Sequence, residues 1–423
     1  MPHNSDMNDT GATPWRAWAV WAVGALFFFY AFMQRTAPSV MVSELMRDFS
    51  VNASALGGLS AFYYYAYMAV QIPTGLMADR FGPRRLLTGA ALVSAMGGLI
   101  FAGADDLALA ATGRVLVGIG AGFGFVCTLR MITDWFPPER LAMLTGATMM
   151  LGMLGGVTGQ APLAIVVGEV GWRPTMTGVA AVGVVIALGA WLITKDQRGA
   201  QGIQHQGSTV WAGLGVVLGN PQTWIIAGYG FSIVVIMFAF GALWGVPYLQ
   251  QVHGMTRPDA AFAASLILLG WGLFTPLVGW LSDRWRRRKP ALILGAVGCL
   301  ATIAPVLYAT ELSGAAIKVL LFLNGVAMAG MVVCFPAVRE HNHAAQAGTA
   351  MAFVNMAVIG SGAVMQPVTG WLLDLGWQGG LDAGVRVYPA EAYVSAFVVL
   401  PVACMVALVL GVLVRETHAR AQS

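Results

Sequence analysis

The chain alternates long apolar runs with short polar breaks. The runs fall at 17–41, 54–78, 85–104, 107–133, 142–167, 174–194, 222–250, 260–281, 290–310, 316–337, 348–373 and 391–414. A helix needs about 20 apolar residues to cross the hydrocarbon core of a bilayer, so this pattern predicts twelve transmembrane helices. The longest polar interruption, KDQRGAQGIQHQGSTVW at 195–211, is rich in Gly and Gln and separates six runs from six. The expected architecture is all-α and membrane-integral, with an N-terminal six-helix bundle over 1–194, a linker over 195–221 and a C-terminal bundle over 222–423. Residues 212–219, AGLGVVLG, are too few to span and are expected along the membrane interface.

Composition agrees: 58% of the 423 residues are hydrophobic, 10% are charged, and the mean hydropathy is +0.72. Soluble chains carry roughly 25% charged residues, so little is left for a soluble domain. The net charge of +4 does not point to nucleic acid, because the cations sit in short clusters between the runs. With the N-terminus inside, fifteen Lys and Arg fall on the inner face, while Arg47, Arg173, Arg257, Lys318 and Arg386 fall outside and Arg35, Arg114 and Arg130 lie within runs. The positive-inside rule then places both termini in the cytoplasm of a cell whose inner membrane holds the protein. Cys127, Cys299, Cys334 and Cys404 stand singly in apolar segments, with neither disulfide nor metal spacing. The polar segment MPHNSDMNDTGATPW precedes a run longer than a signal-peptide core, which is therefore expected to be a retained first helix.

An internal echo joins the halves. GLMADRFGPRR at 75–85 is answered by GWLSDRWRRRK at 279–289, each after the second run of its half, as in carriers built from two related bundles. In the first copy Gly75 permits close helix approach, Asp79 offers a carboxylate at a helix end, and Gly82 turns the chain. That carboxylate is expected to bond a neighbouring helix N-terminus, or an arginine such as Arg140, as a conformational latch. Gly75, Asp79, Arg80, Gly82, Arg84 and Arg140, with Asp283 and Arg284 of the echo, form the expected latch set.

These motifs resemble those of the major facilitator superfamily: GLMADRFGPRR is similar to its loop signature and GRVLVGIGAG at 113–122 to its fourth-helix motif. The resemblance covers essentially the whole chain and implies transport by alternating access. The stretch beginning FMQRTAPSV at 32–40 further resembles the branch that carries organic anions with cations, which implies that Arg35 binds a substrate carboxylate. The second half, with LWGVPYLQQVHGMTRPDAA, is similar to bacterial relatives of the lysosomal dipeptide transporter. Two departures bear on coupling: Gln34 stands where that branch has an acidic residue, and Ala121 where it has a glutamate. GMLGGVTGQAP at 152–162 matches the antiporter signature in part, so facilitated transport and proton symport both stay open.

Among single residues, an arginine inside an apolar run is a functional hypothesis, since burying it costs roughly 2.5–3.5 kcal/mol on insertion scales. Arg35 is the leading substrate site, against the alternative that it snorkels to headgroups. Arg114 is either a structural group or a substrate contact. Arg130 and Asp134, four apart, suit an internal pair. Tyr63, Tyr67 and Gln71 share one helix face and are expected to line a polar cavity or simply to pack, with Tyr64 and Tyr65 elsewhere. Trp244, Tyr248, Asn355 and Gln366 are the deepest polar groups of the second half. The glycines of GIGAGFG at 118–124 suit helix packing rather than a dinucleotide, and HNH at 341–343 suits a solvated loop rather than a metal. With no nucleophile–base set or Walker loop, the chain is expected not to be an enzyme and to need no cofactor or metal. The expected function is transport of a small carboxylate-bearing solute (organic acid, amino acid or dipeptide) by a monomer in the bilayer, with or without a coupled proton. The alternative is a drug or metabolite exporter of the same fold.

Overall fold

The computed structural model describes residues 15–194, 215–309, 311–343, 346–382 and 385–418. The N-terminal segment and most of the expected linker, 195–214, lie outside the described residues. Twelve long helical segments run α1 (Trp15–Val40), α2 (Ala53–Phe81), α3 (Pro83–Ala102), α4 (Leu107–Trp135), α5 (Glu139–Val170), α6 (Trp172–Ile193), α7 (Pro221–His253), α8 (Arg257–Trp285), α9 (Lys289–Tyr308), α10 (Gly314–Glu340), α11 (Ala347–Leu375) and α12 (Ala390–Leu413). Eleven are apolar enough to cross a membrane. The other, α2, carries four tyrosines in five positions, which lowers its hydropathy. Twelve crossings return the chain to the face on which it began, called here the termini face.

Side chains start several helices. Asn52, Asp106, Asn220 and Ser313 each accept a hydrogen bond from a backbone N–H in the first turn of α2, α4, α7 and α10, at 2.8 to 3.2 Å. These caps satisfy donors that hydrocarbon would leave bare. Between α2 and α3 the chain turns at Gly82, whose φ of 76° favours glycine, and Pro83 opens α3 with its φ already set for a helix.

Within each half the helices approach backbone to backbone. A Cβ on Gly118 of α4 would strike the Tyr63 carbonyl of α2; in the second half, one on Gly325 of α10 would strike the Ile267 carbonyl of α8. The same device joins the halves, where Gly57 of α2 lies against the Gln366 carbonyl of α11 and Gly370 of α11 against the Ala53 carbonyl. These junctions occupy the part of the bundle away from the termini face, called here the far face. A two-stranded hairpin, β1 (Leu381–Asp382) with β2 (Val385–Arg386), links α11 to α12 there.

At the termini face of the second half, Arg288 is buried and bridges two carboxylates, Glu340 at 2.7 Å and Asp283 at 2.5 Å. Thr417 also bonds Glu340, and Glu416 accepts the backbone N–H groups of Arg288 and Lys289 at 2.8 and 3.0 Å. Partial burial pushes the Glu416 carboxyl up, but these backbone donors outweigh it and hold the group below the usual carboxylate range. The segment after α12 is thereby fastened to the start of α9.

Two outcomes follow. A depressed carboxyl contributes stability that is present above its unfolded pKa of about 4.3 and is lost as pH falls through the folded value. Glu416→Gln is therefore expected to lower the melting temperature at pH 7, by a difference that fades when thermal unfolding is repeated near pH 4. Gly370→Leu is expected to wedge α11 from α2 and to raise the labelling of cysteines placed along that seam from the far face; unchanged labelling would show that the seam tolerates the side chain.

Candidate functional site

Charge placed in the middle of an apolar bundle needs a partner, and the first half holds two such charges. Arg35, near the far end of α1, is 5% exposed and donates from Nε to the Tyr63 hydroxyl at 3.4 Å. Its guanidinium lies 4.1 Å from the ring centre of Phe32 and 5.3 Å from that of Tyr67. Arg114 of α4 is 2% exposed, donates from Nη1 to the Gln34 carbonyl at 3.0 Å, and lies 5.0 Å from the Tyr63 ring centre. Tyr63 thus touches both guanidiniums, and its ring stacks on Tyr67 at 6.1 Å. Gln71 follows Tyr67 by four residues, one turn along the same face of α2.

No carboxylate pairs with Arg35 or Arg114 among the described residues, and Nε and Nη2 of Arg114 have no hydrogen-bond partner. The neighbouring Gln34 amide is buried and equally unpartnered. Ring faces and a hydroxyl moderate the two charges, yet an uncompensated buried cation is costly. The arrangement can receive an anion. Arginine presents paired N–H groups that match a carboxylate, and here spare donors already stand in place.

Above this pair the halves touch. Tyr64 is buried, packs edge-on against Phe238 of α7 at 5.3 Å, and accepts a hydrogen bond from Gln366 Nε2 at 3.4 Å. The same amide donates to the Phe238 carbonyl at 2.9 Å, while Trp244 Nε1 donates to the Gln366 carbonyl at 3.0 Å. These partners belong to a wide-turned π-helical stretch of α7, Ile236–Trp244. Its i→i+5 pattern is rare and is met frequently at functional sites. From the other half, α5 breaks at Gly159–Gln160, and Gln160 Nε2 donates to the Gly241 carbonyl in the same stretch.

The far face is fastened by charge. Asp374, at the end of α11, accepts the backbone N–H groups of Ala53 and Ser54 at the start of α2, at 3.3 and 2.9 Å, and is held by Tyr388 at 2.6 Å and Arg386 at 3.3 Å. Glu44, between α1 and α2, pairs with Arg257 of α8 at 2.6 Å.

Of the residues expected from sequence, Arg35, Arg114, Tyr63, Tyr67 and Gln71 stand together and Trp244 lies at the seam between the halves. Tyr248 instead donates to the Val306 and Leu307 carbonyls of α9 at 3.0 and 3.1 Å, among aromatic rings of its own half. Asn355 is half-buried on α11, about three turns nearer the termini face than Gln366. Tyr65 is exposed, while Tyr64 joins the seam. Arg130 pairs with Asp134 at 3.1 Å. In the expected latch the side chains of Gly75, Asp79 and Arg80 lie outside the described residues. Arg84 donates to the Trp191 carbonyl at 2.9 Å and stacks on its ring, tying α3 to α6; Arg140 is half-buried, Asp283 pairs with Arg288, and Arg284 is exposed. Sequence reasoning missed Gln160 and Asp374. The signal for the first was a Gly-Gln-Ala-Pro break inside an apolar run, and for the second a lone carboxylate at a helix end.

Gln366→Leu is expected to leave the Phe238 carbonyl bare at a cost of about 1 kcal/mol, read as a lower melting temperature in detergent. The same substitution at exposed Gln251 should leave it unchanged.

Comparison with known proteins places the chain. The family model described as Major Facilitator Superfamily matches residues 24–338 and 230–423. The probable sulfoacetate transporter SauU of Cupriavidus necator is 26% identical, over 69% of this chain and 73% of its own. The probable galactarate/D-glucarate transporter GudP of Escherichia coli is 24% identical, over 72% of each chain. Among solved structures, a bacterial homologue of the human lysosomal transporter Spinster, in an inward-facing and unoccupied conformation, superposes with a TM-score of 0.74 at 19% identity over 97% of each chain.

Proposed function

The chain belongs to the Major Facilitator Superfamily, as a multi-pass membrane transporter of that kind, and we propose that it carries a small carboxylate-bearing organic solute by alternating access. The observation that carries this reading is the pair of buried guanidiniums, Arg35 and Arg114, with two unpartnered donors on Arg114 and no carboxylate beside either among the described residues. Arg35 would take the carboxylate in a two-pronged bond, Tyr63 and Tyr67 would orient both charge and ligand, and Arg114 would share the anionic charge from the α4 side. Gln71 would meet the polar remainder of the solute. The relatives named for sulfoacetate and for galactarate or glucarate support an organic anion. So does the energetics: an anion entering this site relieves a cost that the empty protein bears.

The excess of arginines and lysines on the termini face supports a cytoplasmic location for both ends and an inner-membrane setting. The far face would then be the outside, and the seam of α2 with α11 would close the carrier there, leaving the solute to exchange with the cytoplasm. Opening outward would require Asp374 to leave α2, Glu44 to leave Arg257, and Gln160 and Gln366 to release the wide turn of α7. Asp79 and its neighbours Gly75, Arg80 and Gly82, with Arg84, Arg140, Asp283 and Arg284, would fasten the cytoplasmic side in that opposite state. With no carboxylate next to the two guanidiniums among the described residues, the site favours facilitated movement over proton symport, in a carrier that works as a monomer.

A ligand binding the native state alone stabilises it by about 2.7 kcal/mol at a hundredfold excess over Kd. In a thermal-shift screen of organic acids, amino acids, dipeptides and sugars, carboxylates are expected to raise the melting temperature of the native protein and not of Arg35→Ala. Stabilisation of both proteins by bulky apolar cations would assign the chain to export of such compounds and remove Arg35 from the site.

A further inference from the structure

A cavity of about 310 Å³ opens at the far face, outside the central site. Both halves line it. Ser43 and Arg47 come from the segment between α1 and α2, Gln250 and Arg257 from the ends of α7 and α8, and Arg386 and Tyr388 from the hairpin segment. Three guanidiniums therefore border one small space, and among the described residues neither Asp nor Glu lines it.

The carboxylates that neutralise these arginines stand behind them. Arg257 reaches Glu44 at 2.6 Å, Arg386 reaches Asp374 at 3.3 Å, and Arg47 reaches Asp48 at 3.3 Å. Each carboxylate is heavily engaged. Asp48 also serves Arg173 and the Trp172 ring N–H, Glu44 also serves Ser43, and Asp374 also serves Tyr388 and two backbone N–H groups. A guanidinium has five N–H donors, and each of these ion pairs engages one nitrogen. Donors remain for a ligand on the cavity side. The volume lies at the lower end of the range for small-molecule sites, about 300–1,000 Å³, which suits a molecule of a few carbons.

We propose that this cavity is a second anion site, which takes a small organic dicarboxylate, and that its occupant holds the far face closed. The two charges of such a molecule match arginines contributed by opposite halves, with the Gln250 amide and the Ser43 and Tyr388 hydroxyls left for its polar groups. The walls face one another across the seam while the halves are together at this end, so a bound molecule favours the closed arrangement by its differential affinity. Dicarboxylate accumulating on the far side would slow opening toward that side. The site stands on its own lining and does not depend on the role given to Arg35.

Succinate is the probe, titrated calorimetrically into the purified full chain in detergent at constant ionic strength, with Arg35→Ala as the background that silences the central site. That background is expected to bind succinate. Adding Arg257→Gln should weaken binding about tenfold or more, the effect of losing one charge-assisted hydrogen bond. Adding Gln251→Trp instead, at another lining residue, should block the cavity by volume with every arginine retained, which covers the case in which Arg257→Gln disturbs the seam. Absence of succinate binding in the background, or affinity in both double variants equal to that of the background, would overturn the site. Sulfate binding as tightly as succinate would overturn the organic assignment. Hydrogen exchange at 42–54 and 247–257 should slow several-fold with succinate bound; unchanged exchange at saturation would overturn the closing role.

Discussion

Hydrocarbon offers a backbone no partner, so each departure from the α-helix inside this bundle has to be answered by a side chain from elsewhere. The wide stretch of α7 is answered by two glutamines, Gln366 from α11 and Gln160 from the break in α5. One answer comes from within its own half and the other from the opposite half. Two carbonyls of the irregular part of α7 are therefore bonded while the halves are closed at the far face, and parting them would bare the Gly241 carbonyl as well as apolar surface. Packed interfaces are bistable rather than continuously deformable, which is what a carrier needs of its moving parts.

Beneath that joint sit the two guanidiniums, and the connection between them is short. Tyr63 touches both arginines, Tyr64 is its neighbour in sequence and packs against its ring at 5.2 Å, and Tyr64 accepts from Gln366. Any anion that draws Arg35 from Tyr63 acts on a ring pair already in contact with the amide that bonds α7. Site and joint are two ends of one packed unit, so occupancy and movement can share free energy without a long relay.

Much of the fold was legible because hydrophobicity in a membrane chain is nearly a one-dimensional code. Twelve apolar runs became twelve helical segments whose ends shifted by a few residues, as where α8 begins at Arg257 instead of residue 260. Arg35 and Arg114 stood out for the same reason, since a cation within an apolar run is conspicuous without any knowledge of its neighbours. The tyrosine stripe followed from helical spacing alone. What sequence withheld was pairing over long distance. Nothing local in Asp374 says that it will cap a helix that begins 321 residues earlier, and nothing in Gln160 names a carbonyl in α7. Tyr248 shows the converse: its depth in the run suggested a cavity, whereas its hydroxyl is spent on two carbonyls of α9. The π-helical turns of α7 were equally hidden, because the apolar run that holds them reads like any other.

The far-face fastenings differ from the rest in their surroundings. Arg257, Glu44 and Asp374 lie at the rim of the bundle, partly open to water, where mobile ions reach them. Charge attraction in such a place extends over about 10 Å at 0.1 M salt and about 30 Å at 0.01 M, whereas the glycine contacts of the seam are indifferent to salt. The resting position of this protein is thus partly written in the medium that bathes it. In dilute surroundings the fastening tightens, and in brine it slackens toward what close packing alone can hold.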